Sequence, residues 1–175
     1  DVDADGMGEG VGWFGPDDGM LVMDLDGSGA IENMTEVFSE VFDGKSYVDS
    51  LSALASLDSN ADQVISPEDD QFDEILVWQD GDSDGVSAAP ELSTLSDQGI
   101  TSISLDAQSV SETLEGNRIE AVGEVTLTDD ATSTYAEVTF VVDGAPTTFS
   151  LGGIISTSVT TEESTDTAFV VDGDS

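Results

Sequence analysis

The sequence contains no cysteine and no histidine, and Lys45 and Arg118 are its only cationic side chains. Without thiols there are no disulfides and no thiolate metal sites. Without imidazole there is no Ser-His-Asp or Cys-His catalytic arrangement and no ordinary zinc site. Two cations stand against 39 Asp and Glu, for a formal net charge of −37. A polyanion finds nothing to grip on such a surface, so nucleic acid and anionic membranes are excluded as partners. No apolar run approaches the ~20 residues that span a bilayer, so no membrane insertion is expected. No signal peptide is visible, and the chain opens inside what reads as a ligand loop. That start predicts a segment of a longer protein with neighbouring domains as partners.

What is present is acid arranged in clusters. Uncompensated negative charge opposes compaction unless salt screens it or cations bind it. High charge can also mean disorder. The apolar residues argue against that, because they cluster at Met20–Met23, Ile75–Trp78, Val138–Val142 and Phe169–Val171. A chain of 175 residues is long enough to bury a core. The composition therefore asks which cation neutralises it, and where.

Composition divides the chain near residue 105. The expected fold class is α+β, with EF-hand-like calcium loops joined by short helices and strands over residues 1–105. An antiparallel β-rich part over residues 106–175 packs with the first as one module. Met34, Val37, Phe38, Val41 and Phe42 fall on one face of a helix. Leu51, Leu54, Ala55 and Leu57 suggest a second helix starting near Asp49 or Ser50. Ser66-Pro67-Glu68-Asp69 and Ala89-Pro90-Glu91-Leu92 carry the proline and acids of helix starts, and Gly99 would stop the later one. Met20–Met23 and Ile75–Trp78 could each be a buried strand, which periodicity does not settle. Ile100–Leu105 reads as a strand. Arg118–Thr128 and Thr134–Val142 read as a hairpin about Asp129–Ser133. Asp143-Gly144 signals a turn into Thr147–Leu151. Ile154–Thr160 and Thr167–Val171 are further strand candidates, with Ser156–Thr167 a mobile stretch.

Calcium takes six to eight oxygens, and a twelve-residue loop can deliver them from positions 1, 3, 5, 7, 9 and 12, turning at 6. The loop Asp80–Glu91 matches throughout. Asp80, Asp82 and Asp84 supply side chains, Gly85 the turn, Val86 its carbonyl, and Glu91 a bidentate carboxylate. Val86 is expected to point its side chain into the core. Asp58, Asn60, Asp62, Val64 and Asp69 repeat the pattern, with Gln63 at the turn. Asp69 is shorter than Glu and is expected to reach less well. Asp24, Asp26, Ser28, Ala30 and Glu32 form another loop, with Gly29 at the turn and the closing acid one place late, at Glu36. Asp1, Asp3, Asp5 and Met7 begin a fourth, turning at Gly6, whose nearest closing acids are Asp17 and Asp18. The donor set implies three calcium ions, and a fourth if the Asp1 loop fills.

Other signals are weaker. Gly81–Gly85 satisfies the G-x-S-x-G pattern, but no histidine exists to activate Ser83. Gly6–Gly12 loosely resembles a phosphate loop, without its lysine and with aspartates that would repel phosphate. Asn33-Met34-Thr35 is a glycosylation triplet of a kind frequent by chance. Trp13 and Trp78 read as core anchors.

These motifs in this order resemble a known family. The stretch from Asp1-Val-Asp-Ala-Asp-Gly-Met through Pro16-Asp-Asp-Gly, Asp24-Leu-Asp-Gly-Ser-Gly29, Leu54-Ala-Ser-Leu-Asp-Ser-Asn60 and Leu76-Val-Trp-Gln-Asp80 to Glu91-Leu92 is similar to the calcium-binding self-processing module of bacterial repeat-in-toxin (RTX) proteins. The resemblance implies type I export from a Gram-negative bacterium and folding on meeting external calcium. It also implies calcium-dependent cleavage of an Asp-Pro bond upstream of the module. The four prolines here follow Gly15, Ser66, Ala89 and Ala145, never Asp. The first reading is therefore a non-enzymatic calcium-binding structural or adhesive module of a large secreted protein. The alternative is a self-processing module whose Asp-Pro bond lies outside this chain. A calcium sensor with a partner groove is the third. The charge suits a saline, calcium-rich exterior such as that of a marine or halophilic bacterium.

Overall fold

The two ambiguous apolar runs are strands covered on both faces. The computed structural model describes residues 18–82, 84–114, 117–141 and 148–156. In chain order the strands are β1 (Asp18–Val22), β2 (Val64–Ile65), β3 (Leu76–Trp78), β4 (Leu92–Thr94), β5 (Ile100–Ser104), β6 (Gln108–Leu114), β7 (Asn117–Leu127), β8 (Thr132–Val141) and β9 (Thr148–Ser156). Successive side chains of a strand face opposite ways. Leu21 of β1 enters one apolar cluster, and Met20 and Val22 enter a second. Val77 and Trp78 of β3 divide in the same way. A strand buried on both faces reads as a continuous apolar run, which is why its period was hidden.

All nine strands join one antiparallel sheet in the order β2-β5-β7-β8-β9-β1-β3-β4, with β6 added alongside β7. Strands from both sides of residue 105 are interleaved, because β9 pairs with β1 as well as with β8. The β7–β8 hairpin forms where the alternating pattern places it, in register from Arg118↔Thr139 to Thr126↔Thr132. Within it Tyr135 lies over Gly123, where an added Cβ would sit 2.3 Å from its ring. The Tyr135 hydroxyl donates to the Ser104 carbonyl at 2.7 Å, tying β8 to the end of β5.

The α+β expectation, with EF-hand-like loops between short helices, is corrected by this architecture. Among the described residues there is one α-helix, α1 (Ser50–Ala55), capped by Asp49, whose side chain accepts from the Ser52 amide. Its first residue, Ser50, donates from both its amide and its hydroxyl to the buried Glu137 carboxylate of β8, at 3.1 and 2.9 Å. The other expected helices shrink to isolated 3-10 turns or, at Ser66–Asp69, to a plain turn. The Met34–Phe42 segment has helical spacing, yet its backbone bonds go to β1. Phe38 donates to Leu21, and Met23 donates to Glu36. Competition from a strand edge outweighs a periodicity that β-branched Val37 and Val41 support only weakly. Ser66–Asp69 closes as a turn. Ala89–Glu91 makes one 3-10 turn before β4, which pairs with β3 instead of continuing a helix to Gly99. Among the described residues no acidic loop is held between two α-helices.

The Asp143-Gly144 turn and the Thr167–Val171 strand fall outside the described residues, as does the 157–167 stretch. β6 and β2 were not foreseen. β6 is mostly Ser, Thr and Glu, and its place beside β7 carries it. Among the described residues no helix is long and apolar enough to cross a membrane.

Candidate metal centre

Each of the three described acidic loops leaves a secondary-structure element and must turn back within a dozen residues, so its amides need acceptors. Short Asp and Asn side chains serve nearby backbone amides. In the Asp80 loop, Asp80 accepts from the amides of Asp84 and Gly85 at 3.1 and 2.9 Å. Asp82 accepts from Asp84 at 3.3 Å, and Asp84 accepts from Val86 at 2.8 Å. Glu91 returns across the loop and takes the amides of Gly81 and Ala88, both at 3.0 Å.

The Asp58 loop repeats this bonding place for place. Asp58 accepts from Asp62 and Gln63, Asn60 from Asp62, and Asp62 from Val64. Asp69 takes the amides of Ser59 and Ser66, at 2.8 and 2.9 Å. These are the same second and ninth positions that Glu91 takes in its own loop. The shorter Asp69 side chain reaches them because the turn at Ser66–Asp69 brings its backbone inward.

In the Asp24 loop, Asp24 accepts from Gly27, Ser28 and Gly29, and Asp26 accepts from Ser28. Glu36 takes the amides of Leu25 and Glu32, again the second and ninth positions. Glu36 is buried and Glu32 is exposed, so the acid one place late closes the loop. The Ser28 hydroxyl donates to the Ala30 carbonyl at 3.2 Å. The sixth position of all three loops has positive φ: Gly29 at 82°, Gln63 at 67° and Gly85 at 71°. Gln63 adopts a conformation that favours glycine, as does Ala61 two residues before it at 60°.

Among the described residues, two clusters of carboxylates converge closely enough to hold a metal ion. Asp24, Asp26 and Glu36 form one, and Asp80, Asp82 and Asp84 the other, with an oxygen from each member within 4.8 Å of the others. The third loop puts the amide Asn60 where these have a second aspartate. Asp1, Asp3, Asp5, Met7 and Asp17 lie outside the described residues. Asp18 lies in β1, fully buried opposite Ser156 of β9. Val86 does not point into the core: it is 64% exposed, and its neighbour Ser87 is the buried one at 5%. Ser87 turns inward because its hydroxyl bonds the backbone of Ile31, a contact across 56 residues that no local pattern announces.

This chain matches the family model described as the SPM domain over residues 1–141. It belongs to the SPM domain family. The SPM domain is also 38% identical over 148 residues to the iron-regulated protein FrpA of Neisseria meningitidis serogroup C, an alignment that covers 82% of this chain and 13% of FrpA. The chain thus spans a small part of the length of that relative.

The electrostatics of the SPM domain's loops follow from the amides. The Gly29 amide, with those of Gly27 and Ser28, holds Asp24 below the ordinary carboxylate range against some desolvation. Burial pushes Asp69 up, but the amides of Ser66 and Ser59 outweigh it, and the net shift is down. Desolvation and the charge of Asp84 push Asp82 up. A carboxylate lowered in the folded state adds stability above its ordinary value of 3.8, and that stability is lost as pH falls through the folded value. Asp82 acts in the opposite sense, since its protonation relieves repulsion. In chelator with enough monovalent salt to keep the domain folded, denaturant midpoints should therefore fall from pH 5 to pH 3, and Asp69→Asn should flatten that fall. An identical fall in both proteins would show that Asp69 does not contribute.

Proposed function

We propose that the chain is a calcium-binding structural module of a large secreted bacterial protein of the RTX or adhesin type. One observation carries the reading. Three loops separated in sequence close with the same hydrogen-bond pattern, and two of them bring three carboxylates together, with no nitrogen or sulfur donor in the set. Hard oxygen donors in a flexible loop suit calcium, while magnesium demands stricter octahedral geometry. Bound calcium would supply the positive charge that lets these carboxylates stay together. The protein's own part is to hold them there, through the amides of positions 2, 5, 6 and 9.

The ligands proposed are Asp80, Asp82, Asp84, Val86 and Glu91; Asp58, Asn60, Asp62, Val64 and Asp69; and Asp24, Asp26, Ser28, Ala30 and Glu36. Asp1, Asp3, Asp5 and Met7, closed by Asp17 or Asp18, would make a fourth site. The relation to FrpA, a far longer protein, and the resemblance to RTX modules support a place among neighbouring domains, outside the cell of a Gram-negative bacterium. The excess of acid supports a saline, calcium-rich setting. The role proposed is non-catalytic, because calcium acts here on loop structure and no Asp-Pro bond is present in the chain.

Calorimetric titration of the purified chain should give at least three calcium equivalents, with magnesium weaker. Mass spectrometry after incubation in millimolar calcium should recover one intact species. Absence of saturable heat would overturn the calcium reading. Two defined fragments, or a lysine-linked adduct at Lys45, would overturn the non-catalytic one.

A further inference from the structure

We infer that the Asp24 and Asp80 loops are coupled through Ser87, so that filling one raises the cation affinity of the other. The inference rests on the cation-binding reading above and adds to it how two of its sites communicate.

The Ile31 amide donates to Ser87 Oγ at 2.6 Å. The same oxygen donates to the Ile31 carbonyl at 3.3 Å. Ile31 and Ser87 hold the same place in their loops, the eighth, between the carbonyl of position 7 and the amide of position 9. The peptide unit that carries the Ile31 N–H also carries the Ala30 carbonyl. The unit that carries the Ile31 carbonyl also carries the Glu32 N–H, which donates to Glu36 at 2.8 Å. One hydroxyl therefore grips both peptide units through which the Asp24 loop presents its carbonyl and anchors its closing acid.

The arrangement holds in reverse. The peptide units on either side of Ser87 carry the Val86 carbonyl and the Ala88 N–H, and the latter donates to Glu91 at 3.0 Å. Orienting Val86 and Ala88 orients the Ser87 side chain, and through it Ala30 and Glu32. Bonds in such a chain polarise one another. Accepting from the Ile31 N–H enriches the Ala30 oxygen, and donating to the Ile31 carbonyl sharpens the Glu32 N–H. Ser87 is 5% exposed, so water competes little for its hydroxyl. It is a positioning residue, since it acts through the carbonyls and closing acids beside it. Coupling of this kind is reciprocal.

The test follows calcium binding at the Asp80 loop by the NMR shift of the Gly85 amide. Asp26→Asn disables the Asp24 loop with little structural cost, because exposed Asp26 accepts one amide. With Ser87 present, Asp26→Asn should weaken the Asp80 loop about tenfold, within the usual range of coupling energies. In a Ser87→Ala background it should leave that loop unchanged, and Ser87→Thr should restore the dependence. A second readout needs no change at Ser87. In the Asp26→Asn chain, calcium should slow exchange of the Ile31 amide. An equal effect of Asp26→Asn in the Ser and Ala backgrounds would overturn the coupling and leave the calcium reading standing. So would an Ile31 amide indifferent to calcium. No calcium-dependent shift at Gly85 or Gly29 in the unaltered chain would overturn both.

Discussion

Chelation of divalent cations at low ionic strength should convert this domain to a largely unfolded or molten chain. The formal charge is −37, and its worst repulsion is local, where three carboxylates share a space of 4.8 Å. At such separations repulsion is least screened by salt. The unfolded chain spreads these acids apart and has no assembled site, so binding free energy becomes folding free energy. A ligand at a hundred times its dissociation constant contributes about 2.7 kcal/mol per site, and three such sites about 8 kcal/mol. That equals the whole stability of an ordinary domain, about 5–15 kcal/mol. Added monovalent salt should restore part of the structure by screening. The measurement is circular dichroism melting with calcium, with chelator, and with chelator plus salt. Equal melting temperatures in calcium and chelator would refute the linkage.

The second large effect is expected at Asp80. This residue is fully buried, and its carboxylate takes the amides of Asp84 and Gly85. Asp80→Ala leaves the Gly85 amide without its acceptor in a closed turn, and leaves the Asp84 amide only the longer bond to Asp82. Losing a charge-assisted bond and stranding a donor costs about 3 kcal/mol even without cation. In calcium the loss should be larger, because the loop's first ligand disappears with it. Glu68→Ala, at an exposed acid that accepts none of the loop amides described above, is the control and should change stability by less than about 0.5 kcal/mol. Denaturant titration of both variants, in calcium and in chelator, each with enough monovalent salt to keep the apo chain folded, gives the numbers. If Asp80→Ala cost the same in calcium as in chelator, the Asp80 carboxylate would be structural only.

The candidate sites were more legible than the fold around them. Loop positions are written in residue types, because short oxygen-bearing side chains serve the amides two to five residues after them in the chain. Asp24, Asp58 and Asp80 were therefore visible as loop starts. Glu36 was visible as an acid one place late, though its burial was not. The fold was legible where a pattern has one reading, as in the β7–β8 hairpin. It was hidden where two readings compete. Met34, Val37, Phe38, Val41 and Phe42 have helical spacing, but the end of β1, beyond its pairing with β9, takes the Phe38 amide and the Glu36 carbonyl that a helix would need. The β4 strand follows Pro90 and Glu91, which look like a helix start, and its pairing with β3 depends on residues well back in the chain, Trp78, Val77 and Leu76. Ser87 could not have been found. A serine after a loop valine is ordinary, and only the fold brings it to Ile31.

The most direct test of the account is a crystal of the chain grown in calcium. Oxygen-ligated peaks should stand in the Asp24, Asp58 and Asp80 loops, with ligand distances of about 2.3–2.6 Å. A metal-replete crystal with the Asp80 loop empty would contradict it.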